Sequence, residues 1–492
     1  MNARLPLKFV SSNRRVREDR RFVVGHGRYV ADIAFDGLLH VAMVPSQHPA
    51  ARIVSIDASE AMKMPGVHYV LTGEELVKAT DPLMNGLDTP NVRRFPLAVG
   101  QVRYAGEWVV AVVAETRAQA EDAGEKVRIQ YERLPYVIDG EEAFDPSSTP
   151  VHPAHGTNVL LDKLFVWGDV DKHFAESPRH LSFRVAWGRN STVPIETFGV
   201  AAKWDPWREM LDVWASIQMP KYSDQIARSL RIPLNNVRVH QDVDVGGSYG
   251  VKRGIKQTVI VSHLTRVLGR PVRLIEDRLD NMRAGDAHGP DRIFDVEVAF
   301  NDDGIVKSMK MQALDNVGAY AGRSPFQLGK PIGAIVGPYK IQSVQYHAVS
   351  VPSNKAAQEA VRGFGQAPTN YAIETAIDRV AAALGLDRIE VRRRNFIRSE
   401  RAIWSEYFGI WIEAQTSSIS RHGSHLAATP KVSIGTVELR PQTTRNARCR
   451  GLSAKCFSTS PQTKVLSSSR LLPCPAWTGG LDGSSASSES IT

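Results

Sequence analysis

Cysteine is scarce in this 492-residue sequence, and the three that occur, Cys449, Cys456 and Cys474, all follow residue 400. Residues 1–400 therefore cannot build a disulfide framework, a cysteine-rich zinc site or a cysteine-ligated iron–sulfur cluster. Long apolar runs are also lacking, because the longest, residues 108–114, has seven residues where a bilayer span needs about 20. This shortage predicts a protein that does not cross a membrane.

An excess of charge of one sign is confined to the last part of the chain. Residues 401–492 contain ten Lys and Arg against five Asp and Glu, whereas residues 1–400 contain 51 against 47. The near balance of the first 400 residues gives no reason to expect the basic footprint typical of nucleic-acid binding. The N-terminal apolar patch is interrupted by Lys8, so no export signal is expected either, and we expect a cytoplasmic location.

The part of the chain before residue 150 alternates apolar strands with a helix. Strands are predicted at residues 37–43, 108–114 and 128–131. Thr116 followed by Gln119 is typical of a capping box at a helix start. A turn-rich stretch at 145–150 then has the composition of a linker.

The part after residue 150 continues the alternation, which is typical of a mixed α/β or α+β fold. Strands are predicted at residues 211–216, 237–245, 272–276 and 293–300. Apolar spacing predicts two helices that end at Gly269 and Gly385, because glycine commonly follows the last helical residue. The predicted organisation is an N-terminal segment at 1–15, an α/β domain at 16–145, a second mixed domain at 151–400, and a low-order, serine-rich tail at 401–492.

A glycine-rich turn, DVGGSYGVK at residues 244–252, lies between a predicted strand and a predicted helix. Its glycines allow backbone N–H groups to approach an anionic ligand. Taken alone, such a turn is more often simple backbone punctuation. It matches neither the Walker A pattern nor G-x-G-x-x-G, so nucleotide binding is the weakest alternative.

A second loop, AVRGFGQ at residues 360–366, precedes a helix that we expect to begin near Thr369. Its Arg362 has the fork geometry that binds phosphate or carboxylate groups. A tight loop in which Arg362 pairs with a nearby acidic side chain is an equal alternative.

In order along the chain, these motifs resemble the molybdopterin-binding large subunit of the molybdenum hydroxylases, the xanthine dehydrogenase and aldehyde oxidase family. The motifs are GHGRYVADI at 25–33, VRYAGE at 102–107, GGSYGVK at 246–252, GRPV at 269–272, RGFG at 362–365 and RRRNF at 392–396. The resemblance implies an N-terminal hammerhead α/β domain, then the first molybdopterin-binding domain, then an irregular tail.

The resemblance also implies roles for individual residues. It places Gln218, Gly246, Gly247, Tyr249, Gly250 and Arg362 at the cofactor, and Arg362, Gly363 and Phe364 on the substrate side. Gln218 would hydrogen-bond an oxygen ligand of the metal, and the glycine loop would offer backbone amides. Tyr249 stands where Phe is commoner in the family. Glu196 matches a family position, and we interpret it as a structural carboxylate.

The cofactor implied is molybdopterin, with its cytosine dinucleotide form as one alternative. The pterin would hold the molybdenum, so no protein metal ligand is predicted. Since the chain has no cysteine-cluster motif and no flavin fingerprint, 2Fe-2S and FAD groups would belong to an iron–sulfur small subunit and an FAD-binding medium subunit. The implied reaction hydroxylates a small-molecule substrate with oxygen from water.

Two departures from the family patterns narrow the expected substrate. Purine-type members carry a Glu shortly after the glycine loop, where this chain has Arg253, and this difference disfavours xanthine. Copper-containing carbon monoxide dehydrogenases carry a Cys in the loop equivalent to 360–365, which has none in this chain. Aldehydes and N-heteroaromatic rings remain.

The resemblance stops near residue 400. Family members continue into a second molybdopterin-binding domain that supplies the general-base Glu, so no catalytic residue is assigned in this chain. A reading-frame shift in the coding sequence would produce the abrupt change in composition, and a genuine tail domain is the alternative. The second interpretation of function is accordingly an inactive truncated fragment, at most an assembly module.

Overall fold

The computed structural model describes residues 16–84, 89, 91–284, 287–322 and 324–397, and the backbone of 403–405 and 410–412. The predicted segment 1–15 and most of the predicted tail at 401–492 lie outside the described residues. Within the described residues, no helix is both long enough and apolar enough to cross a membrane.

Helices and strands alternate through this part of the chain. The helices are α1 (Asp19–Val23), α2 (Ser59–Met62), α3 (Gly73–Ala79), α4 (Arg117–Gly124), α5 (Gly140–Phe144), α6 (Val170–Glu176), α7 (Tyr222–Ser229), α8 (Ile255–Leu268), α9 (Arg278–Arg283), α10 (Ser324–Gly329), α11 (Gln366–Leu384) and α12 (Arg388–Asn395). The strands are β1 (Leu39–Pro45), β2 (Ala51–Asp57), β3 (Val67–Thr72), β4 (Gln101–Val102), β5 (Trp108–Ala114), β6 (Arg128–Arg133), β7 (Leu161–Trp167), β8 (Arg179–Trp187), β9 (Gly199–Asp205), β10 (Met210–Ala215), β11 (Val237–His240), β12 (Val272–Ile275), β13 (Arg292–Phe300), β14 (Val306–Asn316), β15 (Ser343–Val351), β16 (Ile403–Ser405) and β17 (Ile410–Ile412).

A seven-stranded sheet in the order β11-β10-β9-β12-β1-β5-β3 combines strands from both sides of the predicted linker. The join is a parallel pairing of β1 with β12, in which Leu39 lies opposite Val272. Strands that the sequence pattern assigns to two domains therefore share one sheet. The boundary at 145–150 stays a prediction.

The strand β5, between β1 and β3, contributes a fully buried run to this sheet. All seven of its residues are buried, as expected of an uninterrupted apolar run covered on both faces. Trp108 and Val113 belong to the core shared with α8, whereas Val110 and Val112 pack toward the three-stranded sheet β4-β2-β6. The predicted strand at 108–114 is confirmed.

A separate five-stranded sheet, β7-β15-β14-β13-β8, is covered by α11. The predicted apolar face of α11 is confirmed, because Ile373, Ile377 and Val380 are all buried against this sheet. The helix begins at Gln366, three residues before the expected start, and the predicted Gly385 follows its last residue with a left-handed backbone at φ +65°.

Local signals at two other helix ends are also confirmed. Thr116 and Gln119 form a reciprocal capping box at the start of α4, with N···O distances of 3.2 and 3.0 Å. Gly269 ends α8 at φ +62°.

The predicted strand at 237–245 is wrong in its second half, because β11 ends at His240. Its partner β10 ends at Ala215, and the last paired residue is Trp214, opposite His240. Farther along, the backbone of Asp244 pairs with Arg28 instead of with a strand of the sheet.

Candidate functional site

The two loops singled out in the sequence lie against each other. The glycine loop, residues 244–252, connects β11 to α8, and the arginine loop, residues 360–365, precedes α11. Gly250 has φ +113°, and a Cβ atom at this position would overlap the carbonyl group of Ala360. Glycine is required at this point because the two backbones approach too closely for any side chain.

The apex of the glycine loop contains residues with a left-handed backbone on both sides of the buried Ser248. Gly247 has φ +90° and Tyr249 has φ +57°, so both occupy the left-handed region. Within the part of the chain that the structure describes, the N–H groups of Gly247, Ser248 and Tyr249 have no acceptor. Successive free N–H groups in such a turn form a concavity that suits an anion.

Gln218 lies just beyond the end of β10 and anchors the C-terminal part of the same loop. Its Oε1 accepts a hydrogen bond from the Gly250 N–H at 2.9 Å. Because only the oxygen of the amide can accept this bond, the orientation of the amide is settled and its NH₂ group is left free to donate. Gln218 is exposed, so these donors are accessible to a ligand.

Glu196, in the segment before β9, anchors the glycine loop near both of its ends. Its Oε2 accepts hydrogen bonds from the Gly246 N–H at 2.6 Å and from the Lys252 Nζ at 2.5 Å. Burial lowers the pKa of Lys252, and the hydrogen bond to Glu196 opposes that shift. These contacts are those of the structural carboxylate that we expected.

The arginine loop is closed by its own backbone. The Phe364 N–H donates to the Val361 carbonyl at 2.8 Å, and the Gln366 N–H donates to the Gly363 carbonyl at 3.0 Å. Gly363 and Phe364 both have positive φ, at +101° and +43°. This geometry turns the tip of the loop outward.

Arg362 occupies that outward tip and is exposed. Among the described residues its guanidinium makes no hydrogen bond or ion pair, so the alternative of an Arg362 bound to a nearby acid finds no partner there. The partly buried Phe364 ring beside it lies 5.1 Å from the Lys330 ammonium. The arginine loop therefore offers a free cation next to an aromatic face.

A buried ion cluster centred on Glu359 links the residue before the arginine loop to Arg253, the residue after the glycine loop. Its carboxylate lies 2.8 Å from the Arg253 guanidinium and 3.2 Å from that of Arg94. Arg253, which the sequence suggests as a determinant of substrate, is therefore neutralised by Glu359 and contacts Gln225 at 3.5 Å. Sequence reasoning missed Glu359, although it immediately precedes the arginine loop.

A cavity of about 400 Å³ opens beside Glu196, which anchors the glycine loop. Gly246 and Glu196 line it together with apolar surface from Ile195 and Ile275. Among the described residues, no group of three or more His, Cys, Asp or Glu side chains is placed to hold a metal ion. The donors that this site presents are the Gln218 amide, the loop N–H groups and Arg362, a set that suits an oxygen-rich, anionic ligand.

Two known protein families match this chain. The family described as "Molybdopterin cofactor-binding domain" matches residues 151–396. The family described as "Aldehyde oxidase and xanthine dehydrogenase, a/b hammerhead domain" matches residues 24–135.

Individual relatives are similar over most of this chain. The 6-hydroxypseudooxynicotine dehydrogenase complex subunit gamma of Paenarthrobacter nicotinovorans is 34% identical over 79% of this chain and 50% of its own length. The nicotine 6-hydroxylase large subunit of the same organism is 32% identical over 77% and 47%. The carbon monoxide dehydrogenase large chain of Hydrogenophaga pseudoflava is 33% identical over 80% and 51%. The chain thus spans about half the length of the curated relatives it matches.

Solved structures show the same similarity. Quinoline 2-oxidoreductase from Pseudomonas putida 86 superposes with a TM-score of 0.73 and 34% identity, covering 78% of this chain and 50% of that one. The CO dehydrogenase of Oligotropha carboxidovorans superposes with a TM-score of 0.71 and 29% identity, covering 79% and 50%.

Proposed function

The chain belongs to the family of molybdopterin-binding large subunits of the molybdenum hydroxylases, and on this premise we propose that it holds the molybdenum cofactor of an oxidoreductase. The proposed reaction hydroxylates an N-heteroaromatic ring or an aldehyde with oxygen from water. The observation that carries the proposal is the exposed Gln218 amide, whose oxygen accepts from the Gly250 N–H so that its own N–H groups are left to donate.

The residues present fit an oxygen-rich, anionic cofactor. The free N–H groups of Gly247, Ser248 and Tyr249 provide a cradle beside the Gln218 amide. The exposed Arg362 adds a positive charge on the opposite loop, which approaches the cradle through Gly250. When bound, the molybdenum cofactor supplies the oxygen-transfer and two-electron chemistry that no side chain of this site provides.

This chain's own residues would bind and orient. The Gln218 amide and the loop N–H groups would donate hydrogen bonds to cofactor oxygens. Arg362 would orient a polar edge of the substrate, and Phe364 would offer an aromatic surface to a flat ring. Gly363 would let the substrate approach the loop backbone, and no residue of this chain is assigned as the general base.

We favour N-heteroaromatic substrates over the other classes of the family. Two relatives are named for nicotine hydroxylation and quinoline oxidation, and each shares at least 32% identity with this chain. Carbon monoxide is disfavoured despite the similarity to two CO dehydrogenases, because the arginine loop holds no Cys. Xanthine is disfavoured because Arg253 and its partner Glu359 replace a free carboxylate after the glycine loop.

The proposal extends to partners and to the form of the cofactor. A relative is described as one subunit of a dehydrogenase complex, which supports partner subunits for this chain. We propose that an iron–sulfur small subunit carries 2Fe-2S clusters and that a medium subunit carries FAD, since electrons must leave the site. The cytosine dinucleotide form of molybdopterin is the proposed variant of the cofactor.

The decisive experiment measures molybdenum. The full chain is co-expressed with the small and medium subunits in a host that makes the cofactor, and metal is quantified in the purified complex. We expect close to one molybdenum per chain and a clear loss in Gln218→Ala, whereas Gln130→Ala, on an exposed position of β6, should retain the metal. A wild-type complex without molybdenum would contradict the proposal and would support the alternative that the chain is an inactive assembly module.

A further inference from the structure

The N-terminal segment of the described chain reaches across to the glycine loop. Arg21, on α1, forms a two-pronged ion pair with Asp244, the first residue of that loop, with N···O distances of 2.5 and 2.7 Å. The two residues are 223 positions apart in the sequence. A bidentate guanidinium–carboxylate pair fixes orientation as well as distance.

The backbone next to Arg28 strengthens the same attachment. The Asp244 N–H donates to the Arg28 carbonyl, and the Arg28 N–H donates to Asp244 Oδ2, each at 2.7 Å. The carboxylate therefore accepts three hydrogen bonds, and its side chain retains 16% of its exposure. The hydrogen bond from Arg21 lowers the pKa of Asp244, so the carboxylate is ionised at neutral pH.

This attachment lies at the entrance of the proposed cofactor cradle. Two residues beyond Asp244, Gly246 is held by Glu196, and Gly250 is held by Gln218. Between those two anchors stand the N–H groups that have no acceptor among the described residues. The loop's own hydrogen bonds run from the Val251 and Lys252 N–H groups to Ser248, so its first half, residues 244–247, depends on the anchors at Asp244 and Gly246.

We propose that residues 19–28 are part of the cofactor site and that Arg21 is a positioning residue for the glycine loop. The proposal rests on the proposed function, which assigns that loop to the cofactor. Arg21 touches neither cofactor nor substrate and acts through Asp244. The segment lies ahead of the hammerhead strands in the chain, yet its role is in the molybdopterin-binding part.

The chain offers a matched control for this proposal. Arg28 and Asp242 form a second ion pair between the same two segments, at 3.0 Å, with both side chains about half exposed. Asp242→Asn removes one charge two residues before Asp244 but leaves the bidentate pair intact. Arg21→Lys keeps the charge and loses the fork, because an ammonium is a point donor.

The first test is amide hydrogen exchange in the full-length wild-type and variant chains. For Arg21→Gln we expect exchange of the hydrogen-bonded amides of Asp244, Gly246 and Gly250 to become roughly tenfold faster while the strands β13 and β14 keep their protection. Arg21→Lys should be intermediate, and Asp242→Asn should match the wild type. Equal exchange in Arg21→Gln and Asp242→Asn, or a uniform loss of protection, would overturn the positioning role.

The second test is metal retention in the complex co-expressed with its partner subunits. Arg21→Gln should lose molybdenum at least about twofold faster during dialysis than Asp242→Asn, because a poorly positioned loop releases its ligand faster. Faster exchange without faster metal loss would show that the segment holds the loop but is no part of the cofactor site. A wild-type complex that contains no molybdenum would contradict the proposed function itself. The exchange test would still decide whether Arg21 positions the glycine loop, because it needs no bound metal.

Discussion

Glu359→Gln should destabilise the junction of the two loops, since it removes the negative charge that faces Arg94 and Arg253. The side chains of Glu359, Arg94 and Arg253 are 5, 8 and 14% exposed, so none of the charges is well solvated. The substitution keeps the shape of the side chain and one acceptor oxygen. Its effect is therefore electrostatic and not a packing defect.

The expected cost follows from this burial. Removing one partner of a buried ion pair costs about 3–5 kcal/mol, because the remaining charge is left uncompensated. We expect about 3 kcal/mol, the lower end, since Arg253 keeps some solvent contact and the new amide still accepts a hydrogen bond. For an exposed pair such as Arg52 with Glu132, the change Glu132→Gln should cost at most about 0.5 kcal/mol.

The assay is urea unfolding of each full-length variant, followed by fluorescence and by circular dichroism. At roughly 1.3 °C per kcal/mol for an ordered unit of about 370 residues, the same change should lower the melting temperature of Glu359→Gln by about 4 °C. Adding Arg253→Gln to Glu359→Gln should recover part of the loss, because the unpaired cation is then removed. The reasoning would be refuted if Glu359→Gln and Glu132→Gln unfolded at the same urea concentration.

Three further predictions concern other parts of the chain. Gly250→Ala should cost at least about 2 kcal/mol and lower molybdenum content, because its Cβ would overlap the Ala360 carbonyl and φ is +113°; thermal unfolding and metal analysis check this. Burial, followed by the charge of Arg103, lowers the pKa of His152 to about 4, so the unfolded chain takes up the proton first as the pH falls. Unfolding free energy should therefore fall by up to about 1.4 kcal/mol per pH unit between pH 6.5 and 4, and His152→Gln should flatten that slope in urea titrations. Thr116→Ala should cost about 1 kcal/mol by removing the cap of α4, measured as a shift of the urea midpoint.

Features that depend on a few neighbouring residues could be predicted from the sequence. The strand at 108–114, the capping box of Thr116 and Gln119, and the glycine ends of α8 and α11 are all confirmed. Each rests on local physics: an apolar run has to be buried, a helix start needs an acceptor, and a left-handed residue favours glycine. The glycine loop and the arginine loop were found in the same way, from glycine spacing along the chain.

Family membership was also contained in the sequence, because the order and spacing of the motifs carry it. The comparisons confirm that resemblance over residues 24–135 and 151–396. The end of the strand at 237–245 was missed for a non-local reason: β11 stops at His240 because its neighbour β10 ends, and neighbours in a sheet are chosen by the tertiary structure.

Only the tertiary structure decided which distant residues meet. Glu359 lies 265 positions from Arg94 and 106 from Arg253, and Arg21 lies 223 from Asp244. No local pattern marks such pairs, because a charged residue in a sequence has many possible partners of opposite sign, and the tertiary fold selects one. The sequence by itself thus determined the elements and the two loops, whereas the fold determined how those loops are held open and against each other.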